Sequence, residues 1–377
     1  MSLRVCLISN AVDYPEGGGH IWEYLNWGLG FCAAGCELFW LEMISANANP
    51  EEMRQMIAVL KSRIAAYGIP ADCVAVCSRD KQALPKEAVE GCMDLDAVSG
   101  ADLLVNLAYD VPSAVVERFR RTALIDVDPG LTQIWIASGE MNIAPHDVYF
   151  TTGETVGQPW ARFPDCGVEW HFAPPAVFLP AWPITTAAAG APYTTVSHWW
   201  GHWVVFDDEE YINSKRYGFR PYLDLPRCTK YPLELALCLS EDDTDERVML
   251  LERGWRVRDA SGVASSPRDY QHYVQQSRGE FSCPKPSCIH LQNAWIGDRT
   301  ICYLASGKPA IIQNTGPSRF LPDWEGVFRF SCREEAIRAL SEAEANYEFH
   351  GRAARKLAEE YFDAKKIACG VLERALA

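Results

Sequence analysis

The chain's 377 residues carry 50 Asp and Glu against 35 Lys and Arg, a formal net charge of −15. Neither nucleic acid nor an anionic membrane is expected as its main partner, because each would be repelled and no local run of Lys and Arg offsets that. A hydrophobic content of 48% implies a globular protein, and the length exceeds what one core usually organises, so two domains are expected.

No apolar run approaches the roughly 20 residues that cross a bilayer, and MSLRVCLISN enters a strand-like stretch without a charged leader or cleavage site. The expectation is a cytoplasmic protein with no transmembrane segment. The 14 cysteines are scattered through apolar patterns, as Cys6, Cys36 and Cys302 are, which reads as buried reduced thiols. Cys283, Cys288 and His290 lie close together but match no zinc-knuckle spacing.

In chain order, Leu3 to Ile8 is apolar without alternation, the pattern of a strand buried on both faces of a parallel sheet. Gly17-Gly18-Gly19-His20 then opens a helix over Ile21 to Cys32, and a second strand runs from Cys36 to Ile44. The βα alternation continues: helix Pro50 to Tyr67, strand Cys73 to Cys77, helix Lys86 to Cys92, strand Ala101 to Ala108, helix Ser113 to Arg120, and strand Thr122 to Val127. The turn Asp128-Pro129-Gly130 follows, and Val148 to Thr152 reads as the last strand of the first domain. Pro174, Pro175, Pro180 and Pro183 remove backbone donors, so the inter-domain crossing is placed between Gly157 and Pro192.

The second half repeats the theme. Strands are expected at Tyr193 to Ser197, Trp255 to Arg258, Pro309 to Gln313 and Gly326 to Phe330, and a strand or helix at Tyr231 to Leu239. Helices are expected at Glu246 to Arg253, Ser266 to Gln276 and Arg333 to Ala343, with an irregular excursion over Asn213 to Arg227. A terminal helix runs from about His350 to Leu376, interrupted near Gly370. The fold class is therefore α/β, two Rossmann-like domains facing across a cleft.

The stretch Ser277 to Gly316 carries the most chemistry: a short strand, a Pro-broken loop with Lys285, a helix beginning near Gly297 and a second strand closed by Asn314-Thr315-Gly316. Asp298, Arg299 and Thr300 fall in the first helical turn, where unpaired N–H groups and the dipole favour an anion, and Lys285 and Arg299 add full charges. A diphosphate fits there, with Thr300 and Ser282 bonding its oxygens and Thr315 and Gly316 lining the far side. The capped-surface-helix alternative stays open.

Gly18 and Gly19 could bring backbone amides close to a ligand, but the loop lacks G-x-G-x-x-G spacing, and a ribose-binding acid at the second strand would have to be Glu42. His198 opens the run His198-Trp199-Trp200-Gly201-His202-Trp203, where indoles could stack on a base or sugar and histidine could donate to phosphate; an aromatic plug between domains reads equally well. Asp126-Val127-Asp128 has the form of a D-x-D metal clamp, yet Pro129-Gly130 gives Asp128 a turn role. His20, titrating near neutral pH at the head of the first helix, is the first choice as a general base, and Asp110 at another strand end is the second.

With these motifs in view, the chain resembles GT-B glycosyltransferases, and more narrowly a bacterial glycosyltransferase-like set. The carrying residues are Gly17 to His20, Ile125 to Gln133, Ser277 to Ser282 with Lys285, Trp295 to Thr300, Tyr303 to Pro309 and Gln313 to Gly316. The resemblance implies sugar transfer from a nucleotide diphosphate to an acceptor hydroxyl or amine on a small molecule, glycan or peptide. The nucleotide sugar is then a co-substrate, with no resident cofactor and no metal. It also implies an acceptor-side domain over residues 1–175, a nucleotide-sugar domain over 176–355, and a terminal helix, 356–377, crossing back to the first domain. Two glutamates of many retaining GT-B enzymes are replaced here by Ala294 and Cys302, so a non-catalytic nucleotide-sugar-binding protein and a nucleotide-sugar epimerase are the rivals.

Overall fold

Strands with no polar alternation must be covered on both faces, and two sheets meet that requirement here. The computed structural model describes every residue except Met1, Lys81 and Asp323, and the side chain of Tyr211. The first sheet holds β1 (Arg4–Ser9), β2 (Glu37–Ile44), β3 (Val74–Ser78), β4 (Leu103–Asn106), β5 (Thr122–Asp126), β6 (Val148–Thr151) and β7 (Trp170–Phe172). Its order is β3-β2-β1-β4-β5-β6-β7, and every pair is parallel. Val5 to Ile8 are fully buried, as the unbroken apolar run requires.

The second domain contains β8 (Tyr193–His198), a hairpin of β9 (Trp203–Phe206) and β10 (Glu209–Ile212), then β11 (Leu233–Cys238), β12 (Arg256–Asp259), β13 (Gly279–Ser282), β14 (Ala310–Gln313) and β15 (Val327–Phe330). Its main sheet is parallel in the order β12-β11-β8-β13-β14-β15. In each sheet the strand order reverses beside the first strand of the domain, and ligands of such sheets bind outside the carboxyl ends at that reversal. No described helix is long and apolar enough to cross a membrane.

Several expectations change. No helix forms over Lys86 to Cys92: the chain turns through Gly91 at φ +74°, and Met93 then pairs with the sheet edge at Val74 and Val76. The turn at Gly130, φ +85°, starts a helix, Leu131–Ser138, instead of ending a unit. A seventh strand follows β6 because Trp170 and Phe172 continue the sheet. The β9–β10 hairpin turns on Asp207 and Asp208, both at positive φ, the backbone of a tight two-residue turn, and Val204 carries its apolar side into a cluster with Leu131 and Ile134 of the first domain.

The terminal segment breaks at Phe362-Asp363 rather than at Gly370, giving helices Tyr347–Tyr361 and Ala364–Ala375. That break frees backbone for pairing: Val177 donates to the Phe362 carbonyl at 2.8 Å, and Ala364 donates to the Val177 carbonyl at 3.0 Å. The proline-rich crossing and the returning chain are thus hydrogen-bonded to each other. The last helix packs along the first helix, Gly18–Ala33, with Gly30 close to the Ala364 carbonyl, and Arg121 Nε donates to the Ala375 carbonyl at 2.6 Å.

Candidate functional site

The carboxyl ends of both sheets face one cleft, and its floor is the loop between Leu291 and Asp298. This loop is unusual backbone, with Gln292 and Ala294 at φ +52° and +56°. Non-glycine residues hold such angles only where the surroundings impose them. Here Thr315 Oγ1 donates to the Trp295 carbonyl at 2.7 Å, and Gly316, at φ +137°, lets its backbone pass where a Cβ would lie 2.8 Å from the Gln292 carbonyl. Asn293 Nδ2 reaches across to the Pro129 carbonyl at 2.7 Å. Thr315 and Gly316 therefore shape the loop that lines the cleft.

The loop presents Trp295. Its ring packs against Gly297, where a Cβ would meet the indole at 2.9 Å, and Lys215 Nζ sits 5.1 Å from its centroid. On one side of the loop, Ser282, Thr300, Gln313 and Thr315 line a small void of about 10 Å³. Lys215 lies near this side, and the Lys285 charge acts on it. Neither cation is ion-paired among the described residues; Lys215 Nζ donates only a long bond, 3.5 Å, to the Cys283 carbonyl. Burial, reinforced by the nearby Arg299 and Lys285 charges, lowers the Lys215 pKa to about 7.

Arg299 occupies a different place from that expected. Its side chain, 12% exposed, lies from the helix onto the sheet, with Nε donating to Glu280 Oε1 at 2.8 Å, one terminal nitrogen to the Val196 carbonyl at 2.8 Å and the other to Ser282 Oγ at 2.7 Å. Burial alone would lower its pKa, but the Glu280 carboxylate more than compensates and the pKa rises above the ordinary Arg value. Its charge and donors are thus spent inside the domain, and the Ser282 hydroxyl is engaged with them. Asp298 stands at the first helical position, placing a carboxylate where an anion was expected.

On the first-domain side, Gly18 and Gly19 face the other domain's backbone and a ring instead of open space. A Cβ on Gly18 would lie 2.2 Å from the Ser266 carbonyl, and one on Gly19 2.9 Å from Tyr270. His20 lies near the cleft, though it lines neither cavity. Its Nε2 bonds to the Asn10 carbonyl at 3.0 Å, and since a carbonyl cannot donate, Nε2 carries the proton and Nδ1 keeps its lone pair. Its ring packs on Tyr14 and Tyr24, and burial lowers its pKa, so the imidazole is neutral near pH 7. Asp298, His198 and Asp128 all act on it electrostatically.

Asp110 is exposed on a separate turn and lines neither cleft cavity. Asp126 is consumed internally, accepting from Gln133 Nε2 at 2.9 Å and Thr151 Oγ1 at 2.8 Å. Glu42 holds the loop after β1, accepting from Ser9 Oγ, from Trp40 Nε1 at 2.9 Å and from the Ala11 and Val12 amides, so it has no capacity left for a ribose. Among the described residues no three His, Cys, Asp or Glu converge as a metal-binding group.

Two residues of the site escaped sequence reasoning. Glu23 faces the cleft one turn beyond His20; the spacing of His20, Glu23 and Trp27 along one helical face was the available signal. Lys215 sits in a segment without periodicity, and nothing in its neighbours distinguishes it from a surface lysine.

Solved structures with the same two-domain arrangement extend over the whole chain. Sucrose-phosphate synthase from Thermosynechococcus elongatus is 14% identical with a TM-score of 0.57, and 99% of each chain is covered. The fold is GT-B. HepE of Anabaena, in a structure with UDP-glucose, shares this GT-B fold at 12% identity and a TM-score of 0.59, again over 99% of each chain. AviGT4, a glycosyltransferase of avilamycin A biosynthesis, is 13% identical with a TM-score of 0.53, over 99% of this chain and 97% of its own. No protein-family model and no curated protein sequence matches the chain.

Proposed function

We propose that the protein is a glycosyltransferase that moves a sugar from a nucleotide diphosphate to an acceptor in the cleft between its two domains. The observation that carries this reading is the pair Lys215 and Lys285 near the wall of the small void at Ser282, Thr300 and Thr315, with Lys215 over the Trp295 ring: two ammonium groups with no carboxylate partner among the described residues, at the switch point of a GT-B second domain. Unpaired cations in a partly water-excluded wall are suited to the charge that develops on a departing diphosphate. They would do without a metal what a bound cation does elsewhere. Lys215 takes the part first considered for Arg299, whose charge is committed to Glu280.

His20 is the proposed general base, since its neutral Nδ1 can accept the acceptor's proton as the new glycosidic bond forms and the diphosphate leaves with the bonding electrons. Titration calorimetry with ADP, CDP, GDP, TDP and UDP, with and without chelator, tests the donor side. Micromolar binding by one of them, unchanged by chelator, is expected; no binding by any, or binding abolished by chelator, sinks the reading. His20→Ala should then lower turnover by about 10² or more, and a loss under tenfold would remove His20 from the role.

A non-catalytic nucleotide-sugar binder is the second reading, favoured by one observation: Cys302 is fully buried among apolar neighbours, leaving no carboxylate at that position to hold a donor. Slow hydrolysis of a bound donor without acceptor supports the transferase; an unchanged donor supports the binder.

A further inference from the structure

On the other side of the Trp295 loop lies a cavity of about 100 Å³, walled by both domains, which the donor reading does not use. Glu23, Asp128 and Asp298 all line it, together with Trp27, Thr152 and Trp295. Among the described residues none of the three carboxylates has a hydrogen-bond or ion-pair partner. No Lys or Arg among the described residues lines the cavity.

A second and independent observation points to a polar ligand. The Thr152 hydroxyl, in a residue only 3% exposed, has no hydrogen-bond partner, although buried hydroxyls are nearly always paired. The charge arrangement is likewise incomplete: burial and the facing Asp298 and Asp128 charges push the Glu23 pKa well above the ordinary carboxylate range. A positive charge in the cavity would relieve that repulsion.

We infer that this cavity receives a protonated amine of the substrate. Three carboxylates offer acceptors for the N–H donors of an ammonium group, Thr152 Oγ1 offers another, and two indoles favour a cation over a neutral group. Trp295 already carries one ammonium, that of Lys215, over its ring. A bare metal ion fits less well, because it would need three ligating side chains converging on one point, which the described residues do not supply. This inference deepens the glycosyl-transfer reading and rests on it: the amine belongs to the transferred sugar or to the acceptor.

The test uses the full chain at pH 6.5 in two calorimetric arms. In the donor arm UDP-glucosamine, UDP-N-acetylglucosamine and UDP-glucose are compared; in the acceptor arm glucosamine, N-acetylglucosamine and glucose are titrated with and without UDP. At least a tenfold preference for the amine is expected in one arm, which assigns the amine to donor or acceptor. That preference should shrink below threefold in the Glu23→Gln/Asp128→Asn variant, with Glu23→Gln alone serving if the double variant does not fold. Nucleotide binding without amine preference, or a preference that survives the substitutions, overturns the inference and leaves the transfer reading standing. Amine preference with no binding by any nucleotide leaves the cation site standing and removes the transfer reading; absence of both removes both.

Discussion

Two strand–loop–helix units face the cleft, one in each domain, and they use their helix starts in opposite ways. In the first, Gly18 and Gly19 are pressed against Ser266 and Tyr270, so the loop after β1 joins the domains, and Glu23 and Trp27 further along the helix line the cleft cavity. In the second, the loop after β13 is held open by Asn293, Thr315 and Gly316, and Trp295, Gly297 and Thr300 line free space. A glycine ahead of a helix therefore does not by itself mark a ligand loop: what the missing Cβ would touch decides whether the space belongs to packing or to substrate.

The comparison breaks most sharply at the buried pair. Glu280→Gln leaves Arg299 charged and without its carboxylate, and removing one partner of such a pair costs about 3–5 kcal/mol. The expected result is a loss of that size in a urea titration, with nucleotide affinity changed only through the lost stability. If stability is unchanged and nucleotide binding is abolished, Arg299 is a ligand residue after all.

The next effect belongs to the first loop. Gly18→Ala forces a carbon against the backbone of the other domain and should destabilise by about 1–3 kcal/mol. Gly262→Ala, with nothing within 4 Å of the added carbon, should be neutral or slightly stabilising. Equal behaviour of the two variants in thermal melts would show that the Gly18 contact is not part of the folded state in solution.

These contrasts also explain what could be read from the residues alone. The two parallel sheets were legible because runs such as Val5 to Ile8 and Ala310 to Ile312 are apolar on both faces, a pattern with few other solutions. Lys285, Asp298 and Thr300 were placed beside the cleft by their position relative to a strand end. Arg299 was adjacent in sequence and equally charged, yet helical geometry turned it inward to Glu280, a partner nineteen residues earlier that no spacing rule connects to it. The fate of Gly18 depended on Ser266, and that of Gly316 on Gln292; such contacts exist only after the domains dock or the loops close. Lys215 became a candidate only because burial and a ring acted on it.

A smaller effect sharpens the second unit. Lys215→Met should weaken binding of the preferred nucleoside diphosphate by about tenfold to a hundredfold, the range of a hydrogen bond to a charged group worth roughly 1.5–3 kcal/mol. Stability should not fall, because the substitution removes a partly buried charge with no ion-pair partner. A loss of stability with unchanged affinity would return Lys215 to a structural role.

The smallest effect is a proton. With its pKa lowered to about 7, Lys215 is mostly neutral in the folded protein at pH 8, whereas in the unfolded chain a lysine stays protonated to roughly pH 10. Between those values the unfolded state binds more protons, so this group makes folding more favourable as pH rises from 7 towards 10; below 7 both states are protonated and the cost of the enclosed ammonium is borne in full. A diphosphate beside Lys215 reverses the balance by favouring the charged form, so binding at pH 8 should draw a proton from solution. Titrations at pH 8 in two buffers of different ionisation enthalpy should therefore report uptake approaching one proton per site. The same experiment on Lys215→Met should show less uptake by about that amount. Identical proton counts in the two proteins would mean that the diphosphate does not contact Lys215.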